Sequence, residues 1–397
     1  MLPSVVLLGL FLYMTQRGFG GTTDSKHYLW AAHTLRTSGR LLAPDGTPFR
    51  LWGPLYPMWL AVFYGTAGAR LLHGLALLVQ LGLWARIGRW LLPPHRAAAL
   101  AWVVALSAAV LVPAKFIWSE TVFGALGAAY FYGLLAWLRT EKKGWLALAT
   151  AAGFLLPLQR TSGFFLLAGA GAGLLLTGLW RTRWRALALH WLGCAAGGLA
   201  WNYYAELMAG PPVYQAVRGW AALGSSAADY GFVLTRWFLP LAASWMERAP
   251  WLWALALPAL LALLWPRPVP SRALAAVAQP GPPEQAVRRQ RRLLWYAWLF
   301  SIIALLVATN LTRAHAGPHD AERYCAVLVG PVALLALARW PVSNTGRWRR
   351  LGRGVLAGWL AYSAVRAGHN AQELSRRRPM AWPANNVGDV KTYLKNE

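Results

Sequence analysis

Asp24, Lys26 and His27 fall within the stretch "GGTTDSKHYLW", directly after the first apolar run "VVLLGLFLYM". A carboxylate, an ammonium and an imidazole so close together can exchange protons with a bound molecule. Ionisable groups at a membrane boundary are functional candidates by default. A second acid, Glu120, lies at the start of another apolar run, in "WSETVFGAL". Two arginines stand at comparable positions, Arg160 in "LQRTSGFFLL" and Arg323 in "ERYCAVLVGP". Each of these residues also has a simpler reading. Asp24 suits the N-cap of a helix, and Glu120 suits capping of its turn. Lys26, Arg160 and Arg323 suit snorkelling to lipid headgroups. Tyr56, in "PLYP", suits packing.

The chain that must position them is 397 residues long and 57% hydrophobic, with 13% charged residues and a mean hydropathy of +0.37. A soluble domain carries about 25% charged residues, so this much apolar surface calls for a bilayer. The 25 Trp suit many crossings of the headgroup layer. Cys194 and Cys325 each sit in an apolar run, as small packing residues and not as a disulfide framework. The net charge of +26 is spread in short clusters between apolar runs. That distribution is the positive-inside pattern, and it speaks against nucleic acid as a partner.

Apolar runs predict an all-α membrane protein of about eleven transmembrane helices, near 3–17, 69–87, 98–114, 119–138, 144–159, 162–180, 186–205, 250–266, 293–312, 323–340 and 352–369. Alternate linkers hold 20 of the 39 Lys and Arg but only two of the 13 acids, Glu141 and Glu284. These linkers are read as cytoplasmic, and so is the N-terminus. The first loop 18–68, the large loop 206–249 and residues 313–322 are then external, and so is the tail 370–397. Residues 267–292, rich in Pro, Ala and Arg, read as a flexible cytoplasmic loop. Eleven acids fall on the external side, where acid–base chemistry is therefore expected.

The first loop is more than a linker. Tyr28, Leu29, Ala32 and Leu35 follow Asp24 at helical spacing, and Gly39 can end that helix. "PDG" marks a turn, and "PLYPMWLAVFYG" predicts a second helix. Two short interfacial helices over a cavity at the outer surface are expected.

At these residues the chain resembles the type C, polyprenyl-phosphate-sugar-dependent glycosyltransferases, a superfamily that includes protein mannosyltransferases and lipid A aminoarabinose transferases. "DSKHY", then "LLAPDGTP", then "WGPLYPMWLA" resemble that family's first external loop. Ser119–Glu120, the Leu-x-Arg-x-x-Gly of 158–163 and Arg323–Tyr324 follow in the family's order. The resemblance covers most of residues 1–340 and defines a transferase-like domain over 1–369.

It implies transfer of a sugar from a polyprenyl phosphate to an envelope acceptor (lipid, glycan or protein) on the outer face of the cell membrane. Asp24 becomes the candidate base, assisted by Glu120. Lys26, Arg160 and Arg323 become candidates for the donor phosphate, since arginine binds phosphate through paired donors and lysine as a point charge. His27, Tyr28, Tyr56 and Tyr324 become possible donor or acceptor contacts. No cofactor is implied.

The family often has two adjacent acids in the first loop, whereas Ser25 follows Asp24 here. His315, His319 and Asp320 lie close together, but Pro318 interrupts them, so no metal site is expected. His73 and His190, in apolar runs, read as hydrogen-bonded core residues. Two other classes share parts of this pattern: a lipid or polysaccharide transporter, and a non-catalytic assembly partner with the same fold. A transporter calls for charge midway through several spans and for inverted repeats, and neither is seen.

Overall fold

The computed structural model describes residues 1–50, 52–209, 219–242, 244–266, 284–311, 320–340 and 346–383. His315, Pro318 and His319 lie outside these residues, as do most of the loops expected at 267–292 and 313–322 and the tail from 384.

The first half of the chain forms α1 (Leu2–Thr15), α2 (Thr23–Ser38), α3 (Leu55–Val62), α4 (Gly65–Leu91), α5 (Pro94–Leu106), α6 (Ala108–Lys115), α7 (Glu120–Thr140), α8 (Lys143–Gln159), α9 (Gly163–Leu176) and α10 (Leu179–Ala209). The second half forms α11 (Leu223–Arg236), α12 (Trp245–Arg248), α13 (Pro250–Leu263), α14 (Glu284–Leu311), α15 (Ala321–Cys325), α16 (Val329–Arg339) and α17 (Gly346–Arg376). The fold class read from hydropathy is therefore all-helical, as expected. Among the described residues, five segments are long and apolar enough to cross a bilayer: Gly65–Leu91, Pro94–Lys115, Glu120–Thr140, Gln285–Leu311 and Ala321–Arg339. Three shorter apolar helices, Leu2–Thr15, Gly163–Leu176 and Pro250–Leu263, join them.

Several boundaries differ from the sequence reading, each for a local reason. The run at 98–114 is two helices, because Ser107 takes an extended backbone (ψ 126°) between them. The loop 206–249 contains α11, which packs on α13. Gly231 permits this, since a side chain there would run into the Trp253 carbonyl. The basic run at 288–292 is helical rather than loop. Arg291 is buried in it and donates Nε to the Leu91 carbonyl at 3.1 Å, at the end of α4. Arg96 does the same for Leu337 near the end of α16, at 3.0 Å. Guanidinium groups thus satisfy carbonyls that a helix C-terminus leaves open.

α9 lies along α14, α7 along α8, and α4 along both α5 and α7. Gly330 lets the Trp84 indole lie against the α16 backbone. On the opposite side of α4, Leu71, Leu75 and Val79 are exposed at four-residue spacing. Such a stripe suits lipid and not water.

Candidate active site

α2 begins as its sequence suggests, but with a different cap. Thr22 is the N-cap, with an extended backbone, and its N–H donates to the Ser25 hydroxyl at 3.1 Å. Ser25 is fully buried in this role. Asp24, read as a possible cap, is instead in the first turn, with its side chain released for other partners. Gly39 ends α2 in the left-handed conformation (φ 71°). Beyond it the "PDG" turn closes a small hairpin. Ala43 N–H donates to the Thr47 carbonyl at 2.8 Å, and Asp45 Oδ1 accepts from the Thr47 hydroxyl at 2.7 Å. That hydroxyl holds the Asp45 carboxyl below its ordinary range.

The strand-like segment before α7 runs beside the exit from α1. Gly20 N–H donates to the Lys115 carbonyl at 3.0 Å, Ile117 N–H donates to the Gly20 carbonyl at 3.3 Å, and Trp118 Nε1 donates to Thr22 Oγ1 at 2.9 Å. This pairing sets Asp24 and Glu120 at one level. Arg160, just past α8, and Arg323, on α15, reach the same level from the other side.

Four of the expected residues meet in one ion cluster. Arg323 Nη2 donates to Asp24 Oδ2 at 2.8 Å, Nε to Glu120 Oε1 at 2.6 Å and Nη1 to Asp320 Oδ1 at 3.0 Å. Arg160 Nη1 lies 2.5 Å from the same Glu120 oxygen. The Glu120 side chain is 1% exposed and that of Asp24 26%. Glu120 therefore sits inside the cluster, and Asp24 sits at its open edge. Aromatic rings frame the cations. Arg323 stacks on Trp118 at 4.1 Å and Arg160 on Tyr324 at 4.8 Å. These contacts help offset the cost of burying charge.

Tyr28 and Tyr56 are buried beside the cluster. Tyr28 OH donates to Ser119 Oγ at 3.4 Å, and its ring meets Tyr56 edge-on at 4.9 Å. Burial drives the Tyr28 phenol well above its ordinary pKa, so it stays a neutral donor. His73 Nδ1 is 3.1 Å from the Ala114 carbonyl, which can only accept. Nε2 is then the acceptor, and Tyr56 OH donates to it at 2.9 Å. His73 is thus a hydrogen-bonded core residue, and so is buried His190, whose Nδ1 lies 2.8 Å from the Thr150 hydroxyl.

His27 lies against Trp52 at 5.3 Å. Burial lowers its pKa despite the opposing pull of Asp24 and Asp45, so the ring is neutral near pH 7. Lys26 is only 9% exposed and, two residues on, leaves α2 on a different face from Asp24. Sequence reading missed Trp118 and Gln159, whose Nε2 donates to the Ser119 carbonyl at 3.1 Å. It placed Asp320 in a metal question, whereas Asp320 is a partner of Arg323. Among the described residues no His, Cys, Asp and Glu side chains group to hold a metal ion.

The chain beyond α17 also reaches this region. Met380 N–H donates to the Phe19 carbonyl at 2.7 Å, and the Tyr64 hydroxyl donates to the Pro383 carbonyl at 3.0 Å. Trp382 meets the Tyr64 ring edge-on at 5.0 Å. At Gly21 any side chain would strike Met380. Residues 377–383, part of the stretch 370–397 read as an external tail, form a strap against Phe19, Gly21 and Tyr64.

The backbone arrangement matches two solved structures of ArnT from Cupriavidus metallidurans, one bound to undecaprenyl phosphate and one in the apo state. The TM-scores are 0.57 and 0.58, over 94% of this chain. The fold is that of ArnT. Sequence identity to ArnT is 16%, and the match spans 70% and 73% of the two ArnT chains. No protein-family description and no curated protein matches the sequence. ArnT is an aminoarabinose transferase with a type C glycosyltransferase architecture, the architecture that the first-loop motifs resemble.

Proposed function

We propose that this protein is a membrane glycosyltransferase that moves a sugar from a polyprenyl phosphate to an envelope acceptor on the external face. The observation that carries the reading is the Arg323 guanidinium, which joins Asp24 to buried Glu120. The ArnT fold around it supports the same reading, because one ArnT structure holds undecaprenyl phosphate.

In the proposed reaction, the acceptor hydroxyl or amine gives its proton to Asp24. The acceptor atom bonds to the anomeric carbon as the carbon–oxygen bond to the lipid phosphate breaks. Direct displacement of this kind inverts the anomeric centre. Arg323 holds Asp24 Oδ2 and so orients the carboxylate, leaving Oδ1 for the acceptor. Arg160 and Lys26 are assigned to the departing phosphate, with Tyr28 and Tyr324 beside it. All three Arg323 nitrogens already hold carboxylates, so Arg323 meets the phosphate only by releasing one of them.

Purified protein should transfer label from a lipid-linked sugar donor without added nucleotide, and turnover should survive EDTA because Ser25 replaces the second first-loop acid. Efficient use of a soluble nucleotide sugar with no lipid carrier would overturn the donor assignment.

The proposed topology has eleven spans and a cytoplasmic N-terminus. Asp45 and Lys142 are both exposed at turns. In intact cells an impermeant thiol reagent should label Asp45→Cys and leave Lys142→Cys silent, with the native cysteines buried in both variants. The reverse pattern would invert the orientation and place the site inside.

A further inference from the structure

A cavity of about 490 Å³ opens between α6, α11 and α17, with Glu322 of α15 in its lining and none of Asp24, Glu120, Arg160 and Arg323. Its charged lining is Arg236, Arg366, Arg376, Arg377, Glu322 and Glu373. Glu322 pairs with Arg366 at 3.5 Å, and Glu373 with Arg376 at 3.6 Å. Arg236 and Arg377 have no carboxylate partner among the described residues. Arg377 only overlies the Phe116 ring, at 5.7 Å. The Nε of Arg236 is buried without a hydrogen-bond partner among the described residues. A guanidinium N–H enclosed in this way costs free energy unless an oxygen reaches it.

The ligand class follows from charge, geometry and depth. Four arginines against two glutamates leave a surplus of two positive charges. A phosphomonoester carries about −1.5 to −2 charge and three acceptor oxygens, which suits two guanidinium forks better than a carboxylate does. Val355 and Val365, lower on α17, are exposed apolar residues that suit lipid tails. Arg366 follows Val365 directly, and Arg376 and Arg377 stand at and just past the end of the helix, where a phosphate headgroup would lie.

We propose that this cavity is a phosphate-binding site, separate from the transfer site and filled by a lipid phosphomonoester or a free phosphate. It does not depend on the transferase reading, because it is tested by binding alone. The full chain is reconstituted in nanodiscs of phosphatidylcholine with phosphatidic acid and then released for native mass spectrometry. The wild type should retain phosphatidic acid over phosphatidylcholine. Arg236→Gln with Arg377→Gln should cut the retained fraction by about tenfold. Arg377→Gln alone, at an exposed side chain, keeps the test valid if the double variant fails to fold, and it should give a smaller loss. Inorganic phosphate in the buffer separates the sources. Retention of phosphate in place of the lipid, lost in the same variants, assigns the site to a soluble anion. Undiminished phosphatidic acid in the variants, or no phosphate ligand of either kind on the wild type, overturns the proposal.

Discussion

Asp24→Asn should insert and fold normally, yet turn over roughly 10²–10⁴-fold more slowly than the wild type, the usual cost of losing a general base. The substitution is nearly isosteric. It does not disturb the helix start, because Thr22 and Ser25 make the cap. Arg323 keeps Glu120 and Asp320 as partners, so the guanidinium is not stranded. What disappears is the proton-accepting oxygen at the open edge of the cluster. Single-turnover transfer from a lipid-linked donor, together with donor binding and gel-filtration behaviour, separates loss of chemistry from loss of structure. Turnover at the wild-type rate in this variant would leave the proposed mechanism without its base.

Glu120→Gln should act mainly on stability. Its carboxylate is 1% exposed and receives both Arg160 and Arg323. Arg323 retains two other carboxylates, whereas Arg160 keeps only the Ser119 hydroxyl at 3.4 Å and the Tyr324 ring. Breaking a buried pair from one side costs about 3–5 kcal/mol, because the remaining charge is left uncompensated. A marked fall in apparent Tm is therefore expected. Adding Arg160→Met removes the stranded charge and should recover part of the loss. A Glu120→Gln protein that melts with the wild type, or a double variant less stable than the single, would show that this pair does not hold α7 to the segment after α8.

Much of this was legible in the sequence because the signals are local. Helical spacing after Asp24, Gly39 as a stop and "PDG" as a turn are each decided within a few residues. The candidate residues could be named, since acids and arginines are rare in so apolar a chain. Their pairing could not. Arg323 meets Glu120 across 203 positions and Asp24 across 299, and nothing in either neighbourhood encodes that distance. Ser25 looked like a missing acid, but its hydroxyl is the cap that frees Asp24. The basic run at 288–292 looked like loop because charge there was weighed as topology, whereas Arg291 spends its charge on the end of α4.

The strap made by Met380, Trp382 and Pro383 has a consequence for the order in which the protein is made. It rests on Phe19 and Tyr64, near the start of the chain, yet it follows α17. During synthesis the loop carrying Asp24 emerges early and stays without this contact until the last long helix has been inserted. A nascent chain stalled before residue 380 would have every residue of the ion cluster but not the brace on the loop that leads to Asp24. Assembly of the segment that leads to Asp24 therefore waits on the synthesis of α17 and the residues just after it.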